Sequence, residues 1–255
     1  MRVVLLSNAS AKHFPNNTVS EFTVKLPDDL DFSTGSWECG LSEIMFYKSW
    51  SNLGEDSTFQ IKPNHKPTTV VTIPDGYYND LGELCTKINE CFHEQLPDHL
   101  SGGFTFSFDK YTRVVTCRIK RENFSGGSFN WSAPLKAVLG SSSWAVTDEN
   151  EMTVTFKNSK LSHIFQVMVY SDIVQPSVVG DIETNLLRSV PVSIGNHWEM
   201  QCTTFDKIQY IPLSKKTANT ISILIYTDYG KPVPFNGGRA VVTLEFRKAK
   251  PALFI

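Results

Sequence analysis

Cys85, Cys91, His93 and His99 crowd into fifteen positions and are the first residues of this chain that could hold a metal. Structural zinc sites bring their ligands in close pairs, C-x2-4-C or H-x3-5-H. Here the two cysteines are six apart, and their neighbours Leu84, Ile88 and Phe92 are apolar, so the expectation is packing and no metal. Ser162, His163 and Asp172 are the nearest approach to a nucleophilic triad. Adjacent strand residues point to opposite faces, which separates Ser162 from His163. There is no G-x-S-x-G elbow around Ser141-Ser142-Ser143, no H-E-x-x-H and no G-x-x-x-x-G-K-[ST]. A metal-dependent enzyme on a small β-barrel would need a clustered His/His/Glu set. The six histidines (His13, His65, His93, His99, His163, His197) are dispersed instead. The expected class is therefore not an enzyme, with no catalytic residue, metal or cofactor.

The elements that would position any site are mostly strands. Phe22, Val24 and Leu26 alternate with polar residues, as do Trp37, Cys39 and Leu41, which marks strands with one buried face. The phase breaks near Glu43-Ile44, as a bulge would cause. Phe59 with Ile61, Thr69–Ile73, Met152–Phe156, Ile164–Tyr170, Leu186–Val192, Ile208–Ile211, Ile221–Tyr226 and Ala240–Phe246 read as further strands. The Ile164–Tyr170 run suits burial on both faces. Between them the period changes. Leu81, Leu84, Cys85, Ile88, Cys91 and Phe92 share one helical face, with Asn79 as N-cap. A hairpin follows over Phe104–Ile119, then a short helix over Ala133–Leu139 that ends at Gly140. The reading is a β-sandwich over 21–73 and 147–250, interrupted by an α/β subdomain at 74–146. An N-terminal arm occupies 1–20 and an apolar tail 251–255. Its eight main strands centre near residues 22, 38, 60, 154, 167, 188, 223 and 243.

Composition bounds the partners. The chain has 255 residues, 41% hydrophobic and 20% charged, with net charge −2. That suits a globular protein with a substantial core. It lacks the basic face that phosphate neutralisation needs, so no specific nucleic-acid binding is expected, and Arg118, Lys120 and Arg121 read as a solvated strand end. Five widely spaced cysteines fit reduced thiols in an intracellular setting. Met1–Leu6 has four consecutive apolar residues, too few for a secretory signal core, and no run reaches the roughly 18 needed to span a membrane.

Loops are then the functional candidates. Asp228–Gly238 joins the last two strands. Pro232 and Pro234 stiffen it, Gly230 permits φ > 0, and Tyr229 and Phe235 are its aromatics. Phe235 could insert into a neighbour or fold back on its own barrel. Asp172, Pro176, Val179, Gly180 and Asp181 mark a second long loop over 171–185. Leu253, Phe254 and Ile255 could strap to an adjacent subunit or tuck into their own.

Val169–Val174, Val179-Gly180-Asp181, Leu186-Leu187-Arg188, Ile221–Ile225, Asp228–Phe235 and Val242–Arg247 together form strand, long loop, strand, loop, strand, turn, strand. Ile73–Tyr78 and the helix after it belong to the same pattern. This order resembles the minor capsid (penton) protein of Polinton/Maverick elements and their adintovirus relatives. The resemblance implies an eight-stranded single jelly roll, mainly β, with an inserted helix–hairpin–helix unit. It implies a structural capsid role as a homopentamer at icosahedral vertices, beside a double jelly-roll major capsid protein. Localisation would be the virion, assembled inside the host cell, with the inserted unit projecting outward or buttressing the ring. A carbohydrate- or receptor-binding β-sandwich, using exposed Trp and Tyr, is the alternative.

Overall fold

The computed structural model describes residues 1–64, 66–100, 102–122, 124, 127–193 and 197–249. The chain divides into two compact units, Met1–Trp50 with Ile164–Ile255, and Ser51–His163. The first segment carries β1 (Arg2–Leu6), β2 (Glu21–Asp31) and β3 (Trp37–Tyr47). The inserted unit carries β4 (Thr58–Pro63), β5 (Thr69–Thr72), α1 (Leu81–Gln95), β6 (Phe104–Asp109), β7 (Val114–Lys120), β8 (Gly127–Trp131), α2 (Ala133–Leu139), β9 (Ser141–Val146) and β10 (Glu151–Lys157). The last segment carries β11 (Gln166–Ser171), β12 (Ser177–Val179), β13 (Ile182–Thr184), β14 (Leu186–Pro191), β15 (Met200–Thr204), β16 (Ile211–Pro212), β17 (Thr217–Thr227) and β18 (Ala240–Lys248). No helix among the described residues is long and apolar enough to cross a membrane.

The first unit is a jelly roll by its strand order. One sheet runs β1-β18-β3-β15, with the short β16 also on β3, and the other runs β14-β11-β17-β2. Eight strands pair in nested fashion: β1 with β18, β2 with β17, β3 with β15, β11 with β14. First meets last, second meets second-last, and so inward. Successive strands change sheet at every step except β11 to β14. That is a long antiparallel hairpin rolled up into two sheets, the double Greek key of the jelly roll. Period-2 alternation makes it possible. Ile221, Ile223 and Ile225 of β17 are fully buried, while Ser222, Leu224 and Tyr226 turn outward. Val167 and Val169 of β11, and Val242, Leu244 and Phe246 of β18, add to the interior. Phe32 caps one end, stacked on Phe246 with ring centroids 5.3 Å apart and edge-on to Trp37 at 5.5 Å.

Several expectations need correction. The expected subdomain at 74–146 widens to Ser51–His163, so the strands near 60 and 154 belong to the inserted unit. The reason is hydrogen bonding: β4 pairs with β8, and β10 pairs with β7 and β9. Arg2–Leu6, expected inside an arm, and Met200–Thr204 supply the two missing jelly-roll strands. β11 buries one face only, because Met168 and Tyr170 remain half-buried on the other. The bulge expected near Glu43-Ile44 is present: the β3–β18 register passes from Thr243↔Glu43 to Leu244↔Leu41 and skips Ser42.

Within the inserted unit, α1 packs on β5 and β6. Its buried stripe is Leu81, Leu84, Cys85, Ile88, Cys91 and Phe92. Asp80, not Asn79, is the N-cap: its Oδ1 accepts from the Glu83 N–H at 2.8 Å, and the Glu83 carboxylate accepts from the Asn79 N–H. The core is an aromatic cluster in which Phe59 stacks on Phe129 and meets Phe92 and Phe106 edge-on or tilted, at 5.2–5.5 Å.

Candidate functional site

The two loops read from the sequence take different shapes. The 171–185 segment is not an open loop: it contains the hairpin β12–β13 with a two-residue turn, Gly180-Asp181. Gly180 has φ +64, as the first central position of a II′ turn requires. The G-D pair between Val178-Val179 and Ile182 is a hairpin signal that the sequence carries and that reading by loop composition passes over. Pro176, Gly180 and Asp181 are exposed and Val179 is half-buried. At the hairpin's base Asp172 is a tie, not a tip. Its Oδ1 accepts from the Ser222 N–H at 2.8 Å and its Oδ2 from Lys215 Nζ at 2.5 Å, while its carbonyl accepts from Ser214 Oγ at 2.9 Å.

Between this hairpin and the outer face of β17 lies a mainly apolar cavity of about 330 Å³, lined by Tyr170, Asp172, Ile182, Leu224, Tyr226 and Gly230 among others. The Tyr226 hydroxyl donates to Glu21 Oε1 at 2.5 Å, and that hydrogen bond raises its pKa above the ordinary tyrosine value. Across Ser222 and Leu224 a second, more open cleft of about 480 Å³ is walled by His13–Asn17.

The Asp228–Gly238 loop folds back on its own barrel. Pro232 bridges to Tyr226, and the Val233 N–H donates to the Ile225 carbonyl at 3.0 Å. Phe235 is half-buried, edge-on to Phe46 at 5.8 Å and to Trp50 at 5.7 Å. Of the two open readings for Phe235, the structure takes the fold-back one. Pro234 is exposed, and Tyr229 stands 74% exposed at the loop tip beside Gly230. The candidate strap Leu253, Phe254 and Ile255 lies outside the described residues.

Sequence reasoning missed the two edges of the β1-β18-β3-β15 sheet. Met1 and Val4 are about half exposed at one edge. Trp198 and Met200 are about half exposed at the other, next to the exposed thiol of Cys202. Reading 1–20 as an arm hid the first edge. The second, Met200–Thr204, holds no run of apolar alternation that would mark it as a strand.

The groups singled out for chemistry are otherwise committed. Burial pushes Cys85 up to about 12 and raises Cys91, Cys39 and Cys117 too, so these four are thiols at neutral pH and poor nucleophiles. His163 Nδ1 lies 3.0 Å from the Tyr77 hydroxyl, and burial lowers its pKa. Among the described residues no group of three or more His, Cys, Asp or Glu is arranged to hold a metal.

No protein-family model matches this chain, and no curated protein matches it. Among solved structures it is similar to the mavirus penton protein at 12% identity, covering 98% of this chain and 99% of that one, with a TM-score of 0.48. It is similar also to a chain of the Sputnik virophage at 9% identity, covering 97% of each, with a TM-score of 0.45. At these scores the jelly roll rests on the nested strand order above and not on the neighbours.

Proposed function

We propose that the chain is a structural capsid protein, a penton subunit of the Polinton/Maverick kind that closes the five-fold vertices of an icosahedral capsid beside a double jelly-roll major capsid protein. The observation that carries this is the nested pairing of eight strands into a jelly roll whose two flanks differ. One flank ends in β1 and β2, the other in β14 and β15. A body with two unlike flanks repeats head to tail, and a rotation that closes makes a ring. The chemistry is then geometric. Tyr229 and the β12–β13 hairpin, with Pro176, Val179, Gly180 and Asp181, are proposed contacts to neighbours, and Asp172 holds the hairpin base in place.

A second reading, a glycan- or receptor-binding module, draws on Trp144 and Trp198, each about half exposed. A glycan array on the purified chain separates it, and the two roles can coexist. The vertex role is tested by co-expression with the double jelly-roll protein and imaging of the particles. Density for this chain at the five-fold vertices, lost when it is omitted, is the expected result. Vertices that fill equally well without it overturn the proposal.

A further inference from the structure

The two edge strands of the β1-β18-β3-β15 sheet are built to meet each other. β1 is antiparallel to β18, β18 to β3, and β3 to β15. β1 therefore runs antiparallel to β15, the sense in which two edges can form a ladder. Each edge strand presents unpaired backbone groups on its outer side, a liability that proteins usually blunt with charge, proline or a covering loop. Here exposed apolar side chains stand at both edges, beside Arg2 on β1 and Thr204 on β15. Val4 is 51% exposed on one, and Met200 and Trp198 are 51% and 50% exposed on the other. On the outward face the register aligns Leu6, Val241, Met45 and Cys202 in one row from edge to edge. Most of that row is apolar, so the surface continues to both margins. Arg2, its side chain 61% exposed and paired to Glu43 at 3.1 Å, lies on the β1 edge, and exposed Asp206 lies just past the end of β15.

We infer that the β1 edge of one copy docks antiparallel on the β15 edge of a second copy, with Val4 against the Met200–Cys202 face. The occupant is another copy because both edges carry exposed apolar residues and run in opposite senses, and joining unlike edges leaves one of each free for the next subunit. The inference rests on the ring reading above and names the surface that closes it.

Cys202 gives a direct test. Within one chain β1 and β15 stand three strand spacings apart, about 14 Å at about 4.8 Å per spacing. A disulfide needs Cα atoms within about 7 Å. A bond between residue 4 and residue 202 can thus form only between copies. Val4→Cys with native Cys202, under mild oxidation, should give a ladder of covalent oligomers on a non-reducing gel. The ladder should collapse on reduction and vanish in Val4→Cys/Cys202→Ser. Arg2→Cys and Leu6→Cys cover a register shifted by one pair either way. Light scattering on the unoxidised protein separates the failures. Oligomers in solution with no ladder from any of the three variants overturn the edge contact and leave the ring reading standing. A ladder that survives Cys202→Ser assigns the contact to like edges and also overturns the inference. Monomers alone and with the major capsid protein overturn both.

Discussion

Phe235→Ala decides whether the last loop is held by its own barrel. Full truncation of a buried Phe costs about 3–5 kcal/mol. Phe235 is half-buried, so roughly 2 kcal/mol is expected, of which about 1 comes from the two edge-on pairs with Phe46 and Trp50. In urea, with an m-value of about 2 kcal/mol per molar, the midpoint should fall by about 1 M. Trp50 touches the ring, so tryptophan fluorescence follows the loss at its source. Phe235→Leu keeps the apolar volume and loses the ring geometry, and should cost about half as much. The two units can unfold separately, so the transition is assigned with near-unfolded baselines for each. A midpoint that does not move while the oligomer dissociates would refute the fold-back reading and return Phe235 to a neighbour.

Three further outcomes are expected. Gly40→Ala should destabilise the first unit by about 1–3 kcal/mol, as overpacking does. An added Cβ would sit 2.4 Å from the Gln209 carbonyl oxygen and 2.5 Å from Ile208 Cγ2, and calorimetry reads the loss. One thiol in five, Cys202, should react rapidly with a disulfide reagent in the native protein, since Cys39, Cys85, Cys91 and Cys117 are buried; a second fast thiol would contradict the packing. The inserted unit should lose stability as pH falls below 6.5, the ordinary histidine value. Burial lowers the His163 pKa in the folded state, so below 6.5 the unfolded chain takes up the proton first; the dependence should vanish in His163→Gln.

The alternation at Phe22–Leu26, the helical face of Leu81–Phe92 and the Ala133–Gly140 helix could be read directly, because one buried face prints its period on the sequence. What was not legible depends on pairing partners far along the chain. Phe59-Gln-Ile61 alternates as well as any jelly-roll strand, yet besides the nearby Thr69–Thr72 its ladder is with Gly127–Trp131, Ile61 facing Phe129, and no local pattern states that. Arg2–Leu6 is a strand because Val241–Glu245 lies beside it. Met200–Thr204 holds its place by pairing with Glu43–Tyr47. The candidate surface was half visible. Tyr229 is exposed at the tip of its loop, whereas the G-D turn belongs to a hairpin inside a stretch that reads as open loop. Asp172 and Phe235 turned inward because a polar tie and an aromatic cluster were available in their own unit. The two edges that carry the assembly inference appear only once the nesting is known.

Mass in solution tests the central claim most directly. Light scattering on the chain alone and with the double jelly-roll protein, with negative-stain images of the same fractions, reads the subunit count. A closed ring at five times the chain mass of 28.7 kDa is expected, in the free chain or on the capsid. A monomer under both conditions, absent from every vertex, would contradict a role in assembly.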